Sequence, residues 1–233
     1  MMTNPTLYDH SNLNQLSWPK SFDGDYAFRY LFPIVSQGAN FFIDNTLTEV
    51  CILAIDDIVL PITINNGEYE NSYVCSPYTH YVSYAKVELT TLKNPILELI
   101  LKAVLNLLGV ILRCCRINQV VQVNNWLLST NLYSEITQEQ IERISSFLIH
   151  RFPRHTIVFR SINTISTDKI QAALVKNGYR MVTGRQIYIF PKNALKNLKS
   201  RSKSIVKKDL HLLETNGYRW YNEQSITEND LPR

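Results

Sequence analysis

The sequence LTEVCILAIDDIVLPITI at positions 47–64 determines what kind of fold this chain can form. Residues 47–55 are almost entirely apolar, as expected for a β-strand that is covered on both faces. Asp56 and Asp57 indicate a tight turn, and apolar side chains then recur at every second position over residues 58–64. These patterns predict an antiparallel hairpin inside a sheet.

Further strands are predicted on the carboxyl-terminal side of this hairpin. Asn66 followed by Gly67 is a typical hairpin turn, and residues 70–75 and 81–84 have strand-like composition. We therefore expect an antiparallel meander over residues 47–84. Residues 1–25 are polar and rich in turn-forming residues, which predicts a loose lead-in.

Helices and strands alternate over the next hundred residues. Asn94 and Pro95 predict the start of a helix that ends near Arg113. A capping box formed by Thr137 and Gln140 predicts a second helix, and Thr167 begins a third. Strands are predicted between and after these helices, at residues 119–123, 156–162 and 181–190. Helical connections between strands imply a parallel crossover, so the predicted fold class is α/β with an α+β mixed sheet over residues 26–191.

The positive charge of the chain is concentrated near its end. The 233 residues carry a formal net charge of +4, but residues 192–208 contain seven cations and no acid. The remainder is therefore mildly acidic. We predict a basic linking helix over residues 192–217. Three interpretations stay open for it: a solvated linker, contact with RNA or other phosphates, and docking to an acidic acyl carrier protein.

The sequence favours a cytoplasmic protein without a metal centre. Residues 96–112 are the longest apolar stretch, but Glu98, Lys102 and Asn106 interrupt it, so no membrane span is expected. No secretory signal is recognisable at the start. The four cysteines form no CxxC pair, which favours free thiols in a reducing compartment, and the histidines lack the spacing of metal ligands.

The order of elements, with the sequence VTGRQIYI at 182–189 after a helix ending in Asn177, Gly178 and Tyr179, resembles the GNAT acyltransferase fold. More narrowly, it is similar to the first lobe of the two-lobed peptidoglycan N-acyltransferases (FemAB-like). The cationic residues 199–208 are similar to the linking helix of that branch, and Thr227 with Asp230 is similar to the start of its second lobe. The resemblance covers residues 45–233 and implies that residues 218–233 begin a second lobe, which makes this chain a fragment.

The resemblance implies transfer of an acyl group from a thioester donor, acyl-CoA or an acyl carrier protein thioester, to a small-molecule amine. The amine attacks the thioester directly, and no metal is required. One departure is clear: the glycine-rich phosphate cradle common in the fold is missing, because residues 124–134 contain no glycine. In the two-lobed branch the donor commonly sits in one lobe, so this chain can be the half that does not bind it.

Acid and base candidates come from a tyrosine-rich segment at residues 69–84. Acyl transfer to an amine needs a base for the amine and an acid for the leaving thiolate. Tyr78 and His80 are the predicted catalytic pair, together with Asn125. The alternative is that the tyrosines occupy half-buried strand positions without a chemical role.

Amides and hydroxyls after the strand at 119–123 are the predicted donor-binding group. In the GNAT fold the neighbouring strands separate near this position and admit acyl-pantetheine. Asn124, Ser129 and Thr130 could hydrogen-bond its amides, and Asn125 lies among them. The alternative is an Asx-turn and helix-cap cluster.

Two arginines inside predicted strands are the substrate-binding candidates. Arg160 lies late in the strand at 156–162 and Arg185 lies inside the strand at 181–190. A buried guanidinium needs an anionic partner, which is either an internal carboxylate or a substrate carboxylate or phosphate. The competing functional hypothesis is a non-catalytic module that binds nucleic acid or an acidic protein through residues 192–208; nucleic acid is disfavoured because that segment lacks aromatic side chains for stacking on bases.

Overall fold

The structure is a computed structural model that describes residues 4–131, 133–184, 186–189 and 198–219, and the single positions 221, 225 and 227. Contacts divide the chain into two compact units, residues 1–182 and residues 183–233. The first unit holds the sheet and six helices among its described residues, and the second holds one helix.

The first unit is built on a five-stranded mixed sheet. The strands follow in space the order that they have along the chain, and each neighbouring pair is antiparallel except the last, which is parallel. This confirms the predicted α/β fold class with a mixed sheet and one parallel crossover. The strands are β1 (Thr6–Tyr8), β2 (Glu49–Ile55), β3 (Ile58–Asn65), β4 (Val120–Val123) and β5 (Thr156–Phe159).

Helices cover both faces of this sheet. The described helices of the first unit are α1 (Phe22–Gln37), α2 (Ala39–Phe42), α3 (Tyr84–Leu89), α4 (Pro95–Cys114), α5 (Gln138–Arg151) and α6 (Asp168–Lys176). A π-helical turn, Thr79–Ser83, leads into α3. The second unit contains α7 (Ser200–Thr215), which lies inside the predicted basic helix; positions 191–197 are outside the described residues.

The central hairpin forms as predicted and supplies both halves of the core. β2 pairs with β3 in a register that places Ile55 opposite Ile58, and Asp56 makes the turn with a φ of 52°. Alternate side chains of a strand point to opposite faces. Leu53 therefore packs in the cluster beneath α5 and α6, whereas Ile52 packs in the cluster beneath α1.

The predicted helix signals are also confirmed. The Asn94 side chain accepts from the Leu97 N–H at 3.1 Å to begin α4. Thr137 and Gln140 form the reciprocal capping box that begins α5. Gly178 ends the α6 segment with a φ of 84°, a conformation that favours glycine.

The meander prediction is wrong after residue 65. Residues 70–75 are turns, and residues 81–84 lie in the π-helical turn and the start of α3. The physical reason lies in distant side chains, which take up the backbone groups of this segment. Asn118 accepts from the Tyr78 N–H at 2.9 Å and donates to the Glu68 carbonyl at 2.8 Å, and β4 occupies the free edge of β3 instead.

Two further strand and loop predictions are wrong. The lead-in is not loose, because Thr6–Tyr8 pairs with β2 and both Leu13 and Leu16 are buried in the core. The strand predicted at 181–190 is absent at its described positions, 181–184 and 186–189. The apolar side chains there do not pack into a sheet; Tyr188 is 88% exposed. Arg185 and Phe190 lie outside the described residues, as does most of the segment 218–233.

Candidate functional site

Polar side chains collect where the two parallel strands, β4 and β5, end. Parallel strands present their carboxyl ends at the same edge of a sheet, which is the usual place for a ligand in α/β folds. The two strands stay hydrogen-bonded up to this edge: the Thr156 nitrogen lies 3.0 Å from the Gln119 carbonyl oxygen, and the Arg160 nitrogen lies 3.4 Å from the Val123 carbonyl oxygen. We call this the β4–β5 edge.

The chain turns sharply as it leaves both strands. Asn124 directly follows β4 with a φ of 59°, and Ser161 lies two residues after β5 with a φ of 61°. Leu127, on the same loop as Asn124, also has a φ of 59°. Left-handed backbone at residues other than glycine is uncommon and concentrates at functional sites, so the surrounding contacts must hold it.

Asn125 is the centre of these contacts and is fully buried. Its Nδ2 donates to the Thr63 hydroxyl at 2.8 Å and to the Val74 carbonyl at 2.9 Å. Its Oδ1 accepts from the Leu127 N–H at 3.1 Å and from the Arg160 guanidinium. Because both ends of this amide are occupied, Asn125 is a positioning residue in this arrangement.

Arg160 reaches from the end of β5 to the loop that follows β4. Its Nη1 donates to Asn125 Oδ1 and lies 3.4 Å from the Leu128 carbonyl. The side chain is only half-buried, so it brings a positive charge to the surface of the β4–β5 edge. An arginine fixed in this way can bind carboxylate or phosphate oxygens.

The loop that follows β4 is tied to the end of β5. The Ser161 hydroxyl accepts from the Asn131 backbone N–H at 2.9 Å, and Asn131 Oδ1 accepts from the Trp126 N–H at 3.0 Å. Asn124 Oδ1 accepts from the Trp126 indole N–H at 2.8 Å. The predicted donor-binding residues Ser129 and Thr130 lie exposed at the tip of this loop.

Tyr133 lies on the same loop and contacts the end of β5. Its hydroxyl donates to the Arg160 carbonyl at 2.7 Å. Burial raises the pKa of this phenol well above its ordinary value, against the opposing effects of Asn124 and Arg160. Tyr133 is therefore a protonated phenol at neutral pH.

The structure does not bring Tyr78 or His80 to this edge. The Tyr78 N–H is bound by Asn118, which precedes β4, and the Tyr78 hydroxyl lies beside Gly109 of α4. The Tyr78 ring is buried against the Tyr69 ring, and the Arg113 guanidinium lies 4.8 Å from its centroid. His80 lies in the π-helical turn, edge-on to the Tyr81 ring at 4.8 Å.

Sequence reasoning missed three members of the site, Thr63, Gln122 and Tyr133. The Gln122 Nε2 donates to the Cys75 carbonyl at 2.7 Å, and its Oε1 accepts from Asn125 Nδ2 at 3.3 Å. A polar residue inside the otherwise apolar strand VVQV was the available signal for it. Thr63 and Tyr133 carry no comparable pattern in the sequence.

Other predicted features lie away from this edge. No group of three or more potential metal ligands occurs among the described residues. Among the described cations of the basic segment, Lys199 directly precedes α7, and Arg201, Lys203, Lys207 and Lys208 lie on α7, none of whose side chains is buried. Arg185 is outside the described residues, so its predicted role is not located.

Comparison with known proteins gave no match: no family model, no curated protein and no solved structure is similar enough to the chain to identify a family.

Proposed function

We propose that this chain is a GNAT-like lobe of an N-acyltransferase that takes an acyl group from a thioester donor and transfers it to an amine. The observation that carries the proposal is the β4–β5 edge. The sheet is otherwise antiparallel, and Asn124, Asn125 and Arg160 follow the carboxyl ends of its single parallel pair, where Arg160 donates to Asn125.

The chemistry of the edge suits an acyl-pantetheine chain. Such a chain carries amide groups, which can hydrogen-bond to the exposed polar part of the loop that follows β4. The exposed hydroxyls of Ser129 and Thr130 extend this polar surface along the loop. Arg160 supplies the positive charge for the phosphates of coenzyme A or of a carrier protein, in place of a glycine-rich cradle.

The proposed reaction needs no covalent enzyme intermediate. The amine nitrogen bonds to the acyl carbon, and the carbon–sulfur bond breaks with its electron pair on sulfur. The nitrogen loses one proton to water, and the sulfur takes up one. Tyr133 lies at this edge with its hydroxyl donated to the Arg160 carbonyl, and burial raises its pKa, so it keeps its proton. We therefore assign Tyr133 a positioning role, and the sulfur takes its proton from water.

The test is thermal stabilisation of the full chain by acetyl-CoA, by coenzyme A and by a short RNA. A ligand that binds only the folded state raises the melting temperature. At a free ligand concentration of a hundred times its Kd, it adds about 2.7 kcal/mol to the free energy of unfolding. We expect acetyl-CoA to stabilise the wild type. Arg160→Ala should lose that shift, and the control Arg154→Ala, at an exposed position before β5, should keep it.

The comparison uses the shift on adding ligand, because Arg160→Ala also lowers the starting stability. Stabilisation by RNA alone, weakened by salt, would favour the competing nucleic-acid module and overturn the acyltransferase proposal. An equal acetyl-CoA shift in Arg160→Ala and in the wild type would remove Arg160 from the site.

A further inference from the structure

Helix α4 leaves a large apolar surface uncovered by the protein. It is the one helix among the described residues that is long and apolar enough to cross a membrane by length and composition, with a mean hydropathy of 2.1 over its most apolar window. Only 6% of that window is buried inside the protein. Such a surface is unusual for a soluble protein and marks an interaction site.

The exposed residues form one continuous surface, which we call the outward face. On a helix of 3.6 residues per turn, six aliphatic residues that are each more than half exposed share one side of α4. Leu107, near the middle, is 65% exposed. The six residues that are more than half exposed are Ile96, Leu99, Ile100, Val104, Leu107 and Val110. Ala103, Ile111 and Cys114 complete this side of the helix.

The charged groups of α4 lie away from the outward face, and the exposed Asn106 lies at its border. Glu98 and Lys102 form an ion pair at 2.6 Å, and both are partly covered by the protein. Gly109 is buried against the Tyr78 hydroxyl and Val82. The Arg113 guanidinium lies over the rings of Tyr69 and Tyr78, at 4.8 Å from each centroid. The helix thus contacts the domain through the side opposite the outward face, where Leu101, Leu105 and Leu112 are also partly covered.

Positive charge surrounds the outward face. Residues 84–116, which comprise α3, α4 and their flanks, contain five cations and two acids. Lys93 lies before α4, whereas Arg113 and Arg116 lie at its carboxyl end, and all three are exposed. Cations at both ends of an aliphatic surface match the headgroups and acyl chains of an anionic bilayer.

We infer that α4 lies in the plane of an anionic lipid surface, with the outward face in the acyl-chain boundary. A protein partner fits less well, since protein interfaces are enriched in aromatic residues, Met and Arg, and the outward face is aliphatic apart from Cys114. A spanning helix fits less well too, because it would take the Glu98–Lys102 pair into hydrocarbon and would break the contacts of Gly109 and Arg113.

The experiment measures flotation of the full chain with vesicles of phosphatidylcholine alone and of phosphatidylcholine mixed with phosphatidylserine. We expect binding to the mixed vesicles, weakened by salt. Leu107→Glu should lower the partition coefficient about tenfold or more, since it places a charge at the centre of the outward face. The control Ile149→Glu adds the same charge at an exposed position of α5 and should bind as the wild type does.

A second readout does not depend on the amount bound. Cys114 follows Ile96 by five helical turns and lies on the same face, and Cys51 and Cys75 are buried. With Cys115→Ser, an environment-sensitive fluorophore on Cys114 should shift to the blue when mixed vesicles are added.

Three results would overturn the inference. One is equal vesicle binding by the wild type and Leu107→Glu, with unchanged melting temperatures. Another is self-association in sedimentation velocity that Leu107→Glu abolishes, without vesicle binding, which would assign the outward face to a second copy of the chain. The third is resistance of the bound protein to alkaline carbonate extraction, which would indicate a spanning helix.

Discussion

The guanidinium of Arg160 donates to the side-chain oxygen of Asn125, and this contact joins the ends of the two parallel strands. The residues are 35 positions apart, and the whole of α5 lies between them. Asn125 in turn holds Thr63 on β3 and the carbonyl of Val74. One buried amide therefore connects three strands and sets the position of the charge at the β4–β5 edge.

Replacing Asn125 by Ala should destabilise the fold strongly. The substitution leaves Thr63, the Val74 carbonyl and the Arg160 guanidinium without their partner, and unsatisfied buried polar groups cost about 1–3 kcal/mol each. We expect a loss of about 2–4 kcal/mol in the free energy of unfolding, measured by urea denaturation. The control Asn14→Ala, at an exposed position, should change it by less than about 0.5 kcal/mol. Equal midpoints for the two variants would contradict the central position of Asn125.

Arg160 and Asn125 should be energetically coupled. Once Asn125 is Ala, removing the arginine side chain no longer breaks their hydrogen bond, so the second substitution costs less. In a double-mutant cycle of Asn125→Ala and Arg160→Ala, we expect a coupling energy of about 1–2 kcal/mol from urea denaturation. Additive losses would show that the contact contributes nothing to stability.

The sequence predicted the elements whose signals are local. The β2–β3 hairpin has its own turn at Asp56, α5 carries its capping box, and α4 begins at Asn94. Each of these needs only side chains within a few residues. Asn124, Asn125 and Arg160 were also predictable as a polar group at strand ends, because they directly follow apolar runs.

The parts of the structure that the sequence did not predict depend on contacts between residues far apart along the chain. The tyrosine-rich segment after residue 65 has strand propensity, but Asn118, about 40 residues later, binds the Tyr78 N–H in a helical turn. Tertiary hydrogen bonds outweighed local propensity there. The same holds for Tyr133, whose position at the site depends on the Arg160 carbonyl.

Gly109 should tolerate no larger side chain, because α4 touches the domain there. A Cβ at this position would lie 2.9 Å from the buried Tyr78 hydroxyl. We expect Gly109→Leu to lower the free energy of unfolding by about 1–3 kcal/mol through overpacking, despite the better helix propensity of Leu. Ala103→Leu adds bulk at an exposed position of the same helix and should have little effect. Similar melting temperatures for both variants would show that α4 does not pack on the domain at Gly109.

Protonation of His155 should destabilise the fold in mild acid. Its Nε2 contacts Asn66 Oδ1 at 2.9 Å, and its buried Nδ1 has no hydrogen-bond partner among the described residues. Burial lowers the pKa of this imidazole below its ordinary 6.5, although Glu68 opposes the shift. The unfolded chain therefore binds more protons than the folded chain as the pH falls from 6.5 through the folded-state pKa, and stability falls over that window.

The measurement is the urea midpoint from about pH 7 to about pH 5. His155→Gln keeps a nitrogen donor for Asn66 but cannot be protonated, so its profile should be flatter than that of the wild type. A wild-type slope retained in His155→Gln would assign the effect to another group. The Glu68 carboxyl titrates separately, because its lowered pKa places its contribution below 4.5.

The thiols should react in two groups, and the slow group reports the stability of the site. Cys114 and Cys115 are exposed, whereas Cys51 and Cys75 are buried. Burial raises the pKa of the Cys75 thiol to about 12, so it holds almost no thiolate at neutral pH and reacts only after the fold opens. Mass spectrometry after alkylation should find two modified cysteines in the native chain and four in urea.

Alkylation of the buried cysteines requires opening of the fold. Asn125→Ala should therefore raise their alkylation rate about tenfold for each 1.4 kcal/mol lost in the free energy of unfolding, with no change at Cys114 and Cys115. Fast alkylation of Cys75 in the wild type would contradict its burial beneath the polar cluster.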